Sequence, residues 1–389
     1  MSRTTGTYRT TSWGEEKVRA FIPYPLPPTQ PNLLLDDATR CLLTNASAAI
    51  ARLDVAALMV PSSEWFLYGF VRKEAVISSQ IEGTQATLQD IFTFEATHKT
   101  NRPADVEEVC NHVAALTYAR TEIARPGGLP LCTRLLCESH RLLMDGVRGA
   151  EKLPGEIRRS QNWIGGTRPG TARFVPPPPD AVPEAMSDLE KWIHADDPLP
   201  PLVRAGLAHV QFETIHPFLD GNGRIGRLLI TLLLEHWGLL KSPLLYLSLS
   251  FNRHRADYYQ RMADVRTNGD WESWTNFYLK CVHEAADDGV SAARRLFGVL
   301  AAHRSALTQS HTATVGAIRL LDQLPMHPIV TLRRVIQLLE TTKPTALKTI
   351  DSLQRLGMLH EITGKRRDRV YAYKAYLDVL TEDTHSLKK

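Results

Sequence analysis

The sequence predicts a mostly α-helical protein that carries one small β-hairpin and ends in a winged helix-turn-helix domain. Three observations indicate this fold class. From Leu33 onward, leucine and alanine recur at i, i+3 and i+4 spacing, which is typical of amphipathic helices. Residues 151–179 are dense in glycine and proline, as in a hairpin or surface loop. The end of the chain has the pattern of three short helices and two short strands around a basic turn.

The composition is that of a soluble globular protein with two or three domains. The chain has 389 residues, of which 43% are hydrophobic and 23% are charged. The apolar run LLITLLLEHWGLL is too short to cross a bilayer, and no secretory signal begins the chain, so we expect no membrane partner. The five cysteines include no CxxC pair. We therefore expect reduced, mostly buried thiols in a cytoplasmic protein.

The elements are predicted in order along the chain. Residues 1–20 are polar and are expected to form a loose arm, and the proline-rich residues 21–31 are expected to extend over a neighbouring surface. A hairpin is expected within 151–179. Helices are expected over residues 33–59, 62–83, 87–97, 104–124, 131–145, 185–195, 200–215, 224–237, 252–266, 271–305, 317–324, 331–340 and 343–357.

The net charge of +4 is unevenly distributed. His327 to Lys389 contains twelve Lys/Arg and seven Asp/Glu, so about −1 remains for the rest of the chain. Lys348, Arg355 and the turn GKRRDR could contact the phosphates of DNA or RNA. A domain of this type can equally serve protein packing or dimer contacts, and the sequence favours neither alternative.

The stretch HPFLDGNGRIGR, residues 216–227, combines residue types that suit phosphate chemistry. Asp220–Gly223 precedes a helix, and its glycines allow successive N–H groups to point at one anion at the positive end of the helix dipole. Arg224 and Arg227 share a helix face and suit a polyphosphate. Asp220 is a hard oxygen ligand for Mg²⁺. His216 is the natural group to accept a proton from a hydroxyl, so the stretch predicts nucleotidyl or phosphoryl transfer.

This stretch resembles the signature of the Fic family, HPFx[D/E]GNGRxxR, at every specified position. PGEIRRSQNWIGG and FVPPPP resemble that family's flap, AHVQFETIHPF its approach helix, and SSQIEGT its regulatory motif. The resemblance covers roughly residues 20–300 and implies an all-α Fic core that transfers AMP from ATP to a protein Ser, Thr or Tyr hydroxyl, with release of pyrophosphate. The implied division is an N-terminal arm (1–30), a helical region with the inhibitory motif (31–110), the Fic core (111–305) and the winged helix-turn-helix (306–389).

The resemblance implies a role for each residue of the stretch. His216 would deprotonate the target hydroxyl, and Asp220 would hold Mg²⁺. Gly221–Asn222–Gly223 would cradle the α- and β-phosphates, and Gly223 favours AMP transfer over other transfers. Arg224 would steady the same phosphates, and Arg227 would engage the γ-phosphate.

The resemblance also implies an adenine contact and a surface for the target. Tyr258 would stack on or hydrogen-bond the adenine. The alternative is that Tyr258 packs in the core, a role that we expect of Tyr259. The hairpin from Gln161 to Arg173 would grip the target by adding it as a strand, with Ile164 and Gly165 as the expected contacts.

SSQIEG fits the family's inhibitory pattern [S/T]xxxE[G/N] as Ser78, Glu82 and Gly83. Glu82 would pair with Arg227 and exclude the γ-phosphate. A hundredfold suppression needs only about 2.7 kcal/mol. Other functions stay open, namely an ATP-sensing DNA-binding regulator with weak transfer, removal of AMP with Glu82 positioning a water, and transfer of another nucleotide or of a phosphate. Self-association is also left open.

Overall fold

Helices dominate the computed structural model, which describes residues 3–14, 16–58, 63–310 and 314–384. In this part of the chain the helices are α1 (Asp37–Leu58), α2 (Ser63–Ile81), α3 (Leu88–Thr97), α4 (Pro103–Ala124), α5 (Thr133–Leu143), α6 (Val182–His194), α7 (Pro201–Ile215), α8 (Asn222–His236), α9 (Leu247–Arg253), α10 (Arg255–Asn268), α11 (Trp271–Gln309), α12 (Val315–Gln323), α13 (Leu332–Leu339), α14 (Lys343–Arg355) and α15 (Lys374–Leu380).

The chain divides into two units. Unit 1 comprises Met1–Ala51 and Cys110–Ala286, and unit 2 comprises Arg52–Val109 and Asp287–Lys389. The division points fall within α1, α4 and α11.

Unit 1 begins with an antiparallel pair of strands, β1 (Gly6–Trp13) and β2 (Glu16–Pro23), in the register Gly6↔Pro23. The prediction of a loose arm over residues 1–20 is therefore wrong. In β2, the buried Val18 and Ala20 alternate with exposed basic residues, so one face of the pair has an apolar surface to cover. Arg3 also holds the start of the chain, because its guanidinium donates to Gly269 O at 2.7 Å and to the Glu272 carboxylate.

The core of unit 1 is built on α7 and α8. Every residue of α7 from Leu202 to Ile215 is buried, and most of α8 is buried as well. Gly226 lets the two helices approach closely, since a Cβ at this position would lie 2.4 Å from Glu213 Oε1 on α7. The loop between the two helices, which contains the HPFLDG sequence, is therefore anchored at both ends in rigid, packed helices.

The predicted flap is a loop closed by a single bridge rather than a hairpin with extended strands. Ile164 pairs with Phe174, and the intervening chain turns through the 3₁₀ segment Pro169–Thr171. The flap packs on β2, because Val175 joins Val18 and Ala20 in one apolar cluster, and Phe21 N donates to Val175 O at 2.9 Å. Glycines and prolines leave too few consecutive residues for a longer ladder.

In unit 2, α15 packs on α2. Gly69 of α2 makes room for Leu380, since a Cβ on Gly69 would lie 2.9 Å from Leu380 Cδ2. Beyond α15, the chain continues along α2. The Lys73 ammonium donates to Glu382 O at 3.1 Å, and Gln80 Nε2 donates to Thr384 O at 3.0 Å.

The C-terminal segment contains α12, α13 and α14 and a three-stranded antiparallel sheet of order β3-β5-β4, formed by β3 (Ile329–Thr331), β4 (His360–Glu361) and β5 (Val370–Ala372). The three short helices and the two strands around the basic turn were predicted. The sequence analysis missed β3, although its Ile-Val-Thr sequence favours a strand, and it also missed α15. The basic turn, residues 364–369, is exposed.

All five cysteines are free thiols. Only Cys281 is buried and Cys41 is exposed, so the expectation that most of them are buried is wrong. No helix within the described ranges is both long enough and apolar enough to cross a membrane.

Candidate active site

The loop from His216 to Gly221 has a fixed backbone shape. His216 ends α7 in the left-handed region, with φ of +52°, and its N–H donates to Phe212 O at 2.9 Å. Both ends of the Asn222 amide bind the backbone of Phe218, with Oδ1 accepting from its N–H at 2.9 Å and Nδ2 donating to its carbonyl at 2.8 Å. The side chain of Asn222 therefore braces the loop. Of the groups of Asn222, the backbone N–H is then the one expected to contact phosphate.

Arg158 holds the same loop from the flap side. Its guanidinium donates to His216 O at 2.8 Å, to Pro177 O at 2.5 Å and to Ser160 O at 3.3 Å, and its own N–H donates to Pro217 O. The side chain is 1% exposed, and burial lowers its pKa to about 10, so it stays charged at neutral pH. Arg158 positions His216 through the backbone carbonyl of that residue.

The His216 ring is poised to act as a base. Its Nδ1 lies 3.3 Å from Glu213 O, and because a carbonyl can only accept, Nδ1 carries the proton. In the neutral ring this tautomer leaves Nε2 as the acceptor, which is the state that a general base requires. The Glu213 carboxylate lies 3.9 Å from Nδ1 and can stabilise the imidazolium that forms when Nε2 takes a proton. The side chain is 16% exposed, so a reacting group can reach it.

Asp220 stands at the end of the loop as an ionised carboxylate. Burial acts to raise the pKa of Asp220, but hydrogen bonds from Lys152 and from Gly221 N–H, with the charges of Lys152 and Arg224, hold it below its ordinary value. Lys152 Nζ donates to Oδ2 at 2.7 Å, and Gly221 N donates to Oδ1 at 2.7 Å. A cation already neutralises this carboxylate, which shows that the position favours positive charge.

The start of α8 presents backbone N–H groups. Gly221 caps the helix with φ of +75°, and its carbonyl accepts the first helical bond from Ile225 N–H. The N–H groups of Asn222, Gly223 and Arg224 therefore belong to the first turn of α8, where N–H groups have no carbonyl acceptor within the helix. Only glycine fits at 221, because a Cβ would lie 3.0 Å from Met144 Sδ in a backbone region that side chains disfavour. This geometry suits an anion at the helix start.

Arg224 and Arg227 lie beneath the surface near His112. Each is 3% exposed, and Arg224 Nη2 lies 3.4 Å from Met144 Sδ. Burial first, and then the charges of both arginines, lowers the pKa of His112 to about 3. His112 is therefore neutral at neutral pH and adds no third positive charge beside the two guanidinium groups.

His140 supports the loop from α5. Its Nδ1 accepts from Gly155 N–H at 2.9 Å, so its Nε2 carries the proton and donates to Asp220 O at 3.0 Å. The ring stacks on Phe218 with centroids 3.8 Å apart. Burial lowers the pKa of His140 to about 4, which keeps this tautomer at neutral pH.

The structure places Tyr258 in the core. Its ring is 1% exposed, and its hydroxyl donates to His209 Nε2 at 2.8 Å, while His209 Nδ1 donates to Gly226 O at 2.9 Å. This geometry favours the packing alternative over an adenine contact for Tyr258. The expectation that Tyr259 packs in the core is wrong, because it is 41% exposed. Burial lowers the pKa of His209 to about 3.

The flap residues Ile164 and Gly165 lie on a segment that is tied to the loop. Asn162 Nδ2 donates to Phe218 O at 3.2 Å, two residues before Ile164. The N–H and carbonyl of Ile164 both pair with the backbone of Arg173 and Phe174, and Gly165 turns the chain with φ of +70°. A target strand could therefore use the side chain of Ile164 but not its backbone groups.

The three residues of the inhibitory pattern lie at the end of α2 in unit 2. Ser78 is fully buried, whereas Glu82 is exposed in the turn that follows the helix. Gly83 has φ of +102°, which only glycine adopts readily, and its N–H donates to Gln80 O at 3.0 Å.

Sequence reasoning missed Lys152, Arg158 and His140 as parts of the site. Lys152 and Arg158 fall in the segment EKLPGEIRR, where the flap region begins, and their signal was a cluster of basic residues that no periodic pattern explains. His140 carried no local signal, because its role depends on contact with a loop 80 residues further along the chain.

Two family models match consecutive stretches of this chain. Residues 41–121 match the Fic/DOC family N-terminal domain, and residues 130–234 match the Fic/DOC family domain. Protein adenylyltransferase Fic of Drosophila erecta is 26% identical over 212 residues, which are 53% of this chain and 39% of that protein. Its counterpart in Culex quinquefasciatus is 30% identical over 182 residues, or 46% of this chain and 33% of that protein. The chain thus spans less than half the length of these relatives.

Solved structures show the same fold. A Fic family protein from Desulfovibrio desulfuricans G20 aligns with a TM-score of 0.57 and 23% identity over 89% of this chain and 98% of its own. Fic-1 from C. elegans aligns with a TM-score of 0.50 and 20% identity over 66% of this chain and 73% of its own. Together with the two domain matches, this confirms a mostly helical Fic fold. Its small antiparallel hairpin is formed by β1 and β2 rather than by the flap. Within residues 41–234, the chain thus carries two consecutive domains that match the Fic/DOC family.

Proposed function

We propose that the chain transfers AMP from ATP to a Ser, Thr or Tyr hydroxyl of a protein, itself included. The observation that carries the proposal is the placement of His216, whose Nδ1 lies 3.3 Å from Glu213 O, on a braced loop that leads into the first turn of α8. Two arginines of the same helix supply further positive charge. The relatives named protein adenylyltransferase support the same reaction.

In the proposed reaction, the target oxygen attacks the α-phosphorus of ATP. His216 Nε2 accepts the hydroxyl proton, the new O–P bond forms, and the bond to the β-phosphate oxygen breaks, so pyrophosphate leaves with its electron pair. The N–H groups at the start of α8 and the Arg224 guanidinium stabilise the negative charge of the transferring phosphate. Glu213, 3.9 Å from His216 Nδ1, stabilises the imidazolium.

Mg²⁺ fits this site as a companion of ATP. Asp220 is ionised and supplies hard oxygens, and the described residues contain no cluster of three or more His, Cys, Asp or Glu that could hold a metal ion. A single carboxylate suits Mg²⁺, which is commonly held by one or two protein carboxylates together with substrate phosphates and waters. When bound, the ion would neutralise phosphate charge. Lys152 would have to give up its contact with Asp220.

Mass spectrometry of the purified chain after incubation with ATP and Mg²⁺ tests the reaction. We expect a mass increase of one AMP that is lost in His216→Ala. His254→Ala is the matched control, because His254 is an exposed histidine whose Nε2 pairs with Glu284. Labelling that persists in His216→Ala would refute the assigned base. Release of AMP from a pre-labelled protein, without labelling from ATP, would favour the reverse reaction.

We propose further that Glu82 restrains this activity. One support is that Glu82 occupies its place in the full inhibitory pattern. The other is that Glu82 lies in a fixed turn, which is defined by Gly83 and by the hydrogen bond from Glu82 N–H to Ser79 O at 3.0 Å. Glu82→Gly should increase labelling with ATP, and Glu82→Gln should increase it less if shape as well as charge excludes the γ-phosphate. Equal labelling of all three proteins would refute the restraint.

The C-terminal segment supports a second, separate proposal, a winged helix-turn-helix that binds nucleic acid. Helix α12 precedes β3, and α13 and α14 lie between β3 and β4. Lys348 is exposed on α14, and the exposed basic turn connects β4 to β5. Arg355 is partly neutralised, because Asp351 Oδ2 lies 2.7 Å from its Nη2. Salt-dependent binding of duplex DNA should weaken in Arg366→Gln but not in Lys374→Gln, where Asp378 already pairs with the lysine.

A further inference from the structure

Unit 2 contains a cavity that the proposed transfer reaction does not use. Its volume is about 210 Å³, and its walls come from α2, α3, β3 with the two residues before it, and α13. Drug-sized ligands occupy pockets of roughly 300–1,000 Å³, so this cavity suits a smaller molecule.

Half of the cavity wall is apolar. Phe92 and Ala96 of α3 face Pro328 and Ile329, and the Tyr68 ring stacks on Phe92 with centroids 5.9 Å apart. These groups form a surface against which a flat apolar body can pack.

The other half of the wall is polar, and its charges do not balance. Glu95 is neutralised, because Arg72 lies 2.7 Å from its carboxylate and Tyr68 donates a short hydrogen bond to it. Arg334 has no such partner, since no carboxylate of the described residues lies within 4.0 Å of its guanidinium, which donates instead to His327 Nε2 at 3.2 Å. The cavity therefore keeps one net positive charge.

His327 increases the number of donors around that charge. An arginine can only donate, so His327 Nε2 accepts and Nδ1 carries the proton. Burial, and then the charge of Arg334, lowers the pKa of His327 to about 4, so the ring adds no second positive charge at neutral pH.

We propose that this cavity binds a small organic carboxylate with a flat apolar body. The carboxylate pairs with the Arg334 guanidinium, and the apolar body lies between Phe92 and Ile329. Such a ligand would contact both α2 and α3 and the C-terminal segment. These two parts of the chain are far apart in the sequence but line one cavity. The site does not depend on the proposed AMP transfer.

Benzoate is the probe that tests the proposal, with benzamide as the uncharged molecule of the same shape. Isothermal titration calorimetry of the full chain should detect benzoate binding with a Kd of about 1 mM or tighter. Benzamide should bind at least about tenfold more weakly, because it lacks the charge that Arg334 recognises. Absence of benzoate binding at several millimolar, or equal binding of the two probes, would overturn the proposal.

Two variants separate the charge from the space. Arg334→Gln should weaken benzoate binding about tenfold, and Arg333→Gln, the matched change at the exposed neighbour on α13, should leave it within about twofold. Ala96→Leu should abolish binding by filling the cavity while Arg334 stays in place. Thermal melts identify any variant that fails to fold, and the other variant then decides. Benzoate binding that survives in a folded Arg334→Gln or Ala96→Leu protein would refute the assigned site.

Discussion

Replacement of Arg158 by methionine should destabilise unit 1 strongly and also disturb the base. The change keeps the length and the apolar stem of the side chain but removes every donor. Two short hydrogen bonds from a charged donor, to His216 O at 2.8 Å and Pro177 O at 2.5 Å, are lost. Each such bond contributes about 1.5–3 kcal/mol, whereas the cost of burying the charge is relieved. We therefore expect a loss of about 3–5 kcal/mol in the free energy of unfolding.

Urea unfolding, followed by tryptophan fluorescence and circular dichroism, measures this loss. Arg159→Met is the matched control, because Arg159 is 79% exposed and pairs only with Glu156 in the same turn, so its loss should cost below about 0.5 kcal/mol. Arg158→Lys keeps the charge and should fall between the two. If Arg158→Met and Arg159→Met unfold at the same urea concentration, the proposed anchoring of His216 is refuted.

Three further predictions follow from the site. Lys152→Met should lower the Mn²⁺ concentration that half-saturates the ATP complex by about two- to fivefold in spin-resonance titrations. The reason is that the cation no longer has to displace Lys152 from Asp220, and a half-exposed ion pair of this kind is worth about 0.5–1 kcal/mol. An unchanged titration would contradict this prediction. Tyr258→Phe should cost about 1–2 kcal/mol in urea unfolding, because it leaves His209 without its donor, whereas the exposed Tyr259→Phe should be neutral; equal effects would contradict it. The three buried histidines of unit 1 have pKa values well below the 6.5 of a free histidine, so the unfolded chain binds more protons as the pH falls. Their contribution to the free energy of unfolding should be full above pH 6.5 and should fall toward pH 4, by up to about 1.4 kcal/mol per pH unit for each histidine. Urea unfolding midpoints measured across that pH range test this expectation, and a flat profile would contradict it.

The sequence could place the candidate groups of the central loop in one segment because they are contiguous. The distance from His216 to Arg227 is only eleven residues, so helix geometry and glycine chemistry alone place the acceptor nitrogen, the N–H groups and the guanidinium groups in one segment. Most helices of unit 1 were also predicted from their periodicity, with boundaries that moved by a few residues, but α9 (Leu247–Arg253) was missed. For α7 the predicted 200–215 became Pro201–Ile215.

The supporting residues could not be predicted, because their partners are remote in the chain. Lys152 meets Asp220 across 68 residues, and Arg158 meets His216 across 58. A basic residue in a glycine-rich loop is compatible with an exposed position as well as with a buried one. Only the fold decides which carbonyls surround it, and no local pattern encodes that choice.

Two errors could have been avoided with the residues alone. Tyr258, Met262 and Val265 are spaced by four and three residues and form the buried face of α10, a spacing that excludes Tyr259 from that face. In β2, Val18 and Ala20 alternate with charged residues, and β1 is rich in threonine and aromatic residues. This alternation with period two is typical of a strand rather than a loose arm.

The packing of α15 on α2 has a consequence for the history of the sequence. Lys73 reaches Glu382 O across 309 residues, and the bare face of Gly69 receives Leu380. A larger residue at 69 would be tolerated only with a smaller one at 380. Among related chains that keep this helix, we therefore expect these two positions to mutate in concert, so that paired substitutions trace which relatives share the same attachment.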